Sequence, residues 1–527
     1  MSFSRPNRSS ATKTKNRVEA APISGICVTC LDGCPGPCEI GRSAIKGREV
    51  IYPQPYGKIT AGTDKDYPID YSHFNIQGTC VGAVGVEADP DKATFPAVDC
   101  KTAVGSDGSI ELSFPVFTGA VGSTYIARAN WEEMAIGAAI SGIMVVAGEN
   151  ICGMDRDAEF RNGKISRSPE MERRVSAFRR WYDGKGAIIV QANVEDTTLG
   201  VPEYVIQKLG VEVFELKWGQ GAKNIGGEVQ LGSIERAVQL KERGYLVLPD
   251  PTMETSRAAF DSGGIKEFER HSRLGMVEEE SFHKSVEHLR GLGAKYVTLK
   301  TGAYRPVDLA RAIKYASDAK IDLLTIDGAG GGTGMSPWRM MSEWGIPTVY
   351  LQCLAYEMCE RLRKQDAYIP PIAIAGGLSL EDHIFKAIAL GAPHVKAVCL
   401  GRALMTAAMV GKTQGRKIRE KVGEDGMEHG ILGEFAVAAE LKERFKSDFA
   451  KIPPGAIGVY SYVSRLKQGM QQFMAGTRKF ALKYVNRDDL VSLTKEAADI
   501  SGIPYVMDSD KEEVDRILGP SEANFKE

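Results

Sequence analysis

DLLTIDGAGGGTG, residues 322–334, decides how the rest of the chain is read. Its apolar start fits a strand covered on both faces, as in a parallel sheet. The loop that follows, DGAGGGTG (327–334), has Gly at five of its eight positions. Such a loop lets backbone N–H groups approach an anion, because no Cβ stands in the way. A single Gly would read as a plain tight turn, whereas five at a strand end point to a ligand.

Seven further apolar runs surround this one: FPVFTG (114–119), GIMVVAGE (142–149), AIIVQAN (187–193), VEVFELKWG (211–219), YVTLKTG (296–302), PIAIAGG (371–377) and VKAVCLG (395–401). Helical patterns separate them, among them IERAVQLKERG (234–244) and PVDLARAIKYASDA (306–319), the latter with Pro at its first position. Eight strand–helix units predict an α/β fold, a (β/α)8 TIM barrel whose active site lies at the C-terminal strand ends. A doubly wound sheet is the competing architecture. It would carry its Gly-rich turn after the first strand, and here the Gly clusters follow the last ones. The 77 residues between Trp218 and Tyr296 read as an insertion, with a further apolar run, YLVLP (245–249). PTVYLQC (347–353) is another extra run that could displace one of the eight strands.

The chain divides into four parts on this reading. Residues 1–22 are a disordered basic arm, 23–112 a Cys-rich segment, 113–405 the barrel, and 406–527 a helical C-terminal extension. The helices of the extension would pack on the barrel or on a neighbouring subunit, making a homo-oligomer. With 43% hydrophobic and 25% charged residues the composition is that of a globular protein. No apolar run reaches the ~18 residues of a membrane span. The 66 Lys+Arg and 68 Asp+Glu leave no basic field for nucleic acid. The first residues lack the apolar stretch of a secretory signal, so a cytoplasmic location is expected.

Two more turns match a phosphate corner. Strand seven ends in Ala375-Gly376-Gly377 and strand eight in Leu400-Gly401-Arg402. Phosphate sites of such barrels recur in these two loops, next to a helix N-terminus. Arg402 can add a charge-assisted contact. Lys217 and Lys300 end strands four and five, and Gln220 and Lys223 follow Lys217. A lysine at a strand end often only extends its charge to solvent. Several on one rim would attract a substrate carboxylate.

Strands four to eight resemble the FMN-binding synthase domain of glutamate synthase. The matching pieces are Lys-x-x-Gln-Gly-Ala-Lys at 217–223, Gly-Gly-Thr-Gly-x-Ser-Pro at 331–337 and Ala-Gly-Gly-Leu at 375–378. Phe117 to Ser123 is similar to that family's first flavin-contacting loop, which implies cofactor contacts at Gly119 and Ala120. The resemblance covers roughly 114–410. It implies that Gly331, Gly332, Gly376, Gly377, Gly401 and Arg402 hold the FMN phosphate. Lys217 would lie by the flavin ring with Lys300 as the second catalytic lysine, and Gln220 and Lys223 would meet flavin or 2-oxoglutarate. The implied enzyme is an FMN-dependent oxidoreductase of CH–NH2 and C=N groups, in amino-acid metabolism. It would reduce an imine or keto acid such as iminoglutarate formed from 2-oxoglutarate. The alternatives are an N-methylglutamate-like synthase and a flavin electron-transfer or regulatory subunit without its own substrate.

The chain departs from the family's pattern. No glutaminase domain precedes the barrel and Ser2 stands where an amidotransferase exposes a Cys, so a separate subunit would supply ammonia. The family's three-cysteine iron–sulfur loop is absent, since no cysteine follows Cys399. Gly330 replaces the acid before Gly-Gly-Thr-Gly, and in Lys223-Asn-Ile-Gly-Gly-Glu228 the acidic group moves by two positions. At the other end, Cys27, Cys30, Cys34 and Cys38 could place four thiolates on one metal centre. Zinc is the alternative to a 4Fe–4S cluster. The cluster is preferred because a flavin oxidoreductase without its usual iron–sulfur loop needs an entry point for electrons, here from a ferredoxin-like donor. Cys80 or Cys100 could complete the site.

Overall fold

The computed structural model describes residues 65, 67–221, 224–226, 228–332 and 336–519. The four N-terminal cysteines and Lys223 therefore lie outside the described residues. Eight strands form one parallel sheet: β1 Val116–Thr118, β2 Val145–Ala147, β3 Ile188–Ala192, β4 Val213–Lys217, β5 Tyr296–Thr301, β6 Leu323–Asp327, β7 Ile372–Ala375 and β8 Val395–Leu400. Their order is β1-β8-β7-β6-β5-β4-β3-β2. Parallel bridges from Phe117 to Met144 and from Val121 to Ala147 close the ring between β1 and β2. The fold is a (β/α)8 barrel, and all eight strands are those read from the apolar runs.

Caps and prolines set where the helices between the strands begin and end. Gly142 takes φ 65° after the helix α1, Tyr125–Ser141, and turns the chain directly toward β2. Ser168 caps α2, Pro169–Arg179, by accepting from the Met171 N–H, with Pro at the first helical position. Pro306 opens α3, Pro306–Asp318, in the same way. PTVYLQC is not a strand. It starts α4, Thr348–Arg363, which buries Thr348, Val349, Leu351, Gln352, Cys353, Ala355 and Cys359. A short apolar run does not distinguish strand from buried helix, and the spacing of the buried residues beyond it is helical.

The barrel floor comes from the N-terminal segment. Strands Thr102–Val104 and Ile110–Leu112 form an antiparallel hairpin. Val104, Ile110 and Leu112 pack with Phe117, Met144, Ile189, Val213, Tyr296 and Leu323 on the barrel axis. Asp322, just before β6, holds the hairpin there. Its carboxylate accepts from the Ser106 N–H at 2.9 Å, the Ser106 hydroxyl at 2.6 Å and the Val297 N–H at 2.8 Å. Cys100 is buried beside Met474, and burial pushes its thiol up to about 12, while Cys80 is exposed.

The insertion between β4 and β5 is a three-stranded antiparallel sheet, in which Phe268–His271 lies between Glu228–Leu231 and Leu246–Leu248. YLVLP thus builds a strand outside the barrel. After α5, Glu381–Gly391, between β7 and β8, the C-terminal extension packs on the barrel through α6, Arg402–Val422, and α7, Pro454–Gly476. These two helices cross at glycines: a Cβ on Gly411 would sit 2.5 Å from the Pro454 carbonyl oxygen. The extension also returns to the N-terminal segment, where Leu490–Ser492 pairs antiparallel with Phe74–Ile76. No helix among the described residues is long and apolar enough to cross a membrane.

Replacing Asp322 with Ala strands the buried Val297 N–H and removes both Ser106 hydrogen bonds that tie the floor hairpin to β6. Urea unfolding should show a loss of about 2–4 kcal/mol. An unchanged midpoint would mean that the hairpin is not held by this carboxylate.

Candidate active site at the barrel mouth

Side chains alternate along a strand, so β4 turns Val213, Glu215 and Lys217 to the axis, β5 Tyr296, Thr298 and Lys300, and β6 Leu323, Thr325 and Asp327. The apolar member of each set joins the floor. The polar members rise toward the mouth, which is the end where barrel chemistry sits.

Lys217 and Lys300 stand directly across the β4–β5 ladder from one another. Two ammonium groups in register repel, and each is met by its own carboxylate. Lys217 Nζ lies 2.5 Å from Glu149 Oε1 and 3.3 Å from Gln220 Oε1. Lys300 Nζ lies 3.0 Å from Asp327 Oδ2. Burial would raise the Glu149 pKa, but the Lys217 ammonium overrides it and holds the carboxyl down at about 2. Burial would lower the Lys300 pKa, but Asp327 reverses this and raises it above the ordinary lysine value. Asp327 thus keeps Lys300 in its ammonium form at neutral pH.

Neighbouring elements lock this arrangement. Asn150, next to Glu149, donates its backbone N–H to buried Asp196 Oδ2 at 2.8 Å. The Trp218 N–H donates to the Lys300 carbonyl at 2.9 Å, and Tyr304 donates to the Trp218 carbonyl at 2.8 Å. The loop after β4 folds against β6, since a Cβ on Gly221 would meet the Gly328 carbonyl oxygen. The first loop is fixed by buried Arg174, which donates to the Val121 carbonyl at 2.8 Å and to Glu170 at 2.8 Å.

The glycine turns converge on the other side of the mouth. Gly376 and Gly377 both take positive φ, 118° and 92°. A Cβ on Gly331 would lie 3.4 Å from Gly376 Cα, so the loops after β6 and β7 touch backbone to backbone. The Thr348 hydroxyl donates to the Gly376 carbonyl at 2.8 Å and lies 3.1 Å from the Ala329 carbonyl, tying both loops to the start of α4. Gly119 lies against Gly401, whose Cα would sit 3.2 Å from a Cβ there, and its N–H donates to the Leu400 carbonyl. Ala120 is partly buried beside it, and Gly332 is exposed at the edge of the β6 loop. Gly401 precedes the 21-residue α6, whose first residue is Arg402. Arg402 is half-buried, burial lowers its pKa, and no carboxylate among the described residues pairs with it. A cationic side chain, a helix N-terminus and backbone without Cβ atoms thus meet at one corner.

Residues 269–413 match the conserved region in glutamate synthase. The glutamate-synthase-like segment runs from the last strand of the insertion into α6. The chain is 28% identical over 190 residues to a glutamate synthase large subunit-like protein, YerD, of Bacillus subtilis, covering 35% of this chain and 32% of that protein. It is 31% identical over 198 residues to an archaeal-type glutamate synthase [NADPH] of Dehalococcoides mccartyi, covering 37% and 35%. The chain thus matches about a third of the length of these curated relatives. Among solved structures, an IMP dehydrogenase/GMP reductase-like protein from Corynebacterium glutamicum aligns over 82% of this chain and 96% of its own, with a TM-score of 0.43 and 11% identity.

Of the residues singled out by sequence, the barrel mouth brings Lys217, Lys300 and Gln220 to one side. Gly119, Gly331, Gly376, Gly377, Gly401 and Arg402 lie on the other. Glu149, Asp327 and Glu215 escaped the sequence reading. Glu149 and Glu215 lie within the apolar runs GIMVVAGE and VEVFELKWG, and Asp327 opens the glycine loop, so none stands out as a charged partner. Counting back by two from Lys217 would have found Glu215.

Replacing Asp327 with Asn leaves the Lys300 ammonium buried without its counter-charge. Denaturant unfolding should show a loss of about 3–5 kcal/mol. The double variant Lys300→Met, Asp327→Leu should regain most of it, and additive losses would refute the pairing.

Proposed function

We propose that this chain is an FMN-dependent oxidoreductase of glutamate-synthase-like type, acting on a small carboxylate such as an imino or keto acid. The observation that carries the reading is the corner where Arg402 has no counter-charge among the described residues, beside the turns of Gly331, Gly376, Gly377 and Gly401. Such a cradle suits a terminal monophosphate, with Gly119, Ala120 and Gly332 as further contacts. FMN bound there would supply hydride chemistry at its ring.

The chain's own residues do the rest. Lys217 and Lys300 present fixed positive charge at the mouth, and Glu149 and Asp327 keep both side chains from swinging away. A substrate carboxylate gains a charge-assisted contact there, worth about 1.5–3 kcal/mol. Gln220, held by Lys217, is a neutral hydrogen-bonding partner for the same substrate. Lys223, outside the described residues, is assigned to the same acid on the family resemblance alone, with 2-oxoglutarate and glutamate as first candidates. We assign Cys27, Cys30, Cys34 and Cys38 to an iron–sulfur centre serving a ferredoxin-like donor, with structural zinc as the alternative. A separate ammonia-supplying subunit completes the scheme.

Protein purified without oxygen should show flavin absorption, and heat should release FMN. Recovery of FAD, or of no flavin, overturns the assignment. Gly376→Ala adds a Cβ 2.4 Å from the Thr348 hydroxyl at a positive φ, and should lose most of the bound flavin.

Small acids can then be titrated against the flavin band. 2-Oxoglutarate should perturb it, and Lys223→Met should weaken that response at least about tenfold. Iron and sulfide near ~4 each per chain would support a cubane cluster, and zinc near ~1 the structural site.

A further inference from the structure

Below the two lysines the barrel contains a third carboxyl. Glu215 is 1% exposed and lies one inward position beneath Lys217. Gln191 stands across the ladder on β3 and Thr298 on β5. Gln191 Nε2 donates to Glu215 Oε1 at 2.6 Å, while Glu215 Oε2 has no protein partner within hydrogen-bond distance. The Thr325 hydroxyl, buried and also without a protein partner, faces the axis from β6.

The charges at the mouth do not leave room for a third anion. Lys217 is matched by Glu149 and Lys300 by Asp327, so the four groups sum to zero. An ionised Glu215 would be a surplus buried charge, and the Gln191 amide, a weaker Thr298 contact and lysines already paired elsewhere do not offset its burial, so a group so placed neutralises. Besides these four, the titratable group that faces it is Cys399 on β8, a thiol kept neutral by burial. Burial raises the Glu215 pKa, and Lys300 and the Gln191 hydrogen bond oppose this without reversing it.

We infer that Glu215 is a neutral carboxylic acid on the barrel axis, and that its bound proton keeps the mouth from turning net negative. It touches no bound acid. It acts through Lys217 and Lys300, and is a positioning residue for an anion seated above them. This second part rests on the proposed reading of the mouth as a carboxylate site, whereas the protonation state does not. Loss of the proton would add one negative charge beneath the anion seat. At the separations of neighbouring barrel layers, that charge weakens anion binding about tenfold or more.

The sign follows from linkage. The folded chain keeps this proton to higher pH than the unfolded chain, whose glutamates titrate near ~4.3. Between those two values the folded state holds the extra proton, so stability falls as pH rises through the window. Glu215→Gln removes that fall.

Infrared spectra of the holoprotein at neutral pH decide the first part. Wild type should show the carbonyl band of a protonated acid. The band should shift on 13C-glutamate labelling, which separates it from buried Asp196, and vanish in Glu215→Gln. The labelled wild type keeps the test valid even where the variant folds poorly. A spectrum without a label-sensitive acid band overturns the inference.

For the second part, 2-oxoglutarate is titrated against the flavin band from neutral to alkaline pH. Wild type should lose affinity about tenfold or more as Glu215 ionises, and Glu215→Gln should keep its neutral-pH affinity throughout. An equal loss in both proteins refutes the positioning role. No response to 2-oxoglutarate at any pH, with the acid band present, refutes the carboxylate reading and the positioning role, and leaves the protonation state established.

Discussion

Two ammonium groups face each other across one ladder of a closed barrel, and the mouth is organised around that repulsion. Lys217 and Lys300 are register partners on β4 and β5. Neither can turn outward, because inward and outward positions alternate and the outward side is packed against helices. The solution is a carboxylate on each flank, Glu149 from the loop after β2 and Asp327 from the end of β6. These two pairs span four strands. They couple the placement of the lysine rim to the closure of the barrel, since Glu149 follows the strand that seals the ring against β1.

The fold was legible because parallel strands buried on both faces leave near-continuous apolar runs, and all eight of them were visible. The glycine turns were legible for a similar reason, since positive φ at Gly376 and Gly377 is written into the residue type. What stayed hidden was pairing at a distance. Thr102–Val104 and Ile110–Leu112 are too short to announce a strand, and only the tertiary structure makes them the barrel floor. The contact between Phe74–Ile76 and Leu490–Ser492 joins segments more than four hundred residues apart, which no local pattern encodes.

The site divides along the same line. Lys217, Gln220 and Lys300 were found because they sit at strand ends. Their partners were missed because a carboxylate in GIMVVAGE or DLLTIDG is indistinguishable, in one sequence, from a residue that ends a strand. Glu215 was missed for another reason. It lies inside VEVFELKWG, and its burial was absorbed into the hydrophobic reading of the whole run. An acidic residue within such a run is a stronger signal than a lysine at its end, because the lysine can reach water and the buried carboxyl cannot.

The two halves of the mouth differ in how their charge is used. On the β4–β6 side the two described lysines, Lys217 and Lys300, each have an anion, so a ligand there is selected by shape and hydrogen bonding as much as by charge. On the β7–β8 side Arg402 stands at a helix N-terminus among glycines with no carboxylate near it among the described residues. That corner is where a permanently ionised group is stabilised most. The same asymmetry explains why the chain tolerates a third carboxyl only beneath the balanced side. On the reading proposed above, Glu215 remains there as a neutral acid bonded to Gln191, whereas an ionised carboxylate beside Arg402 would compete directly with any anion bound at the glycine turns.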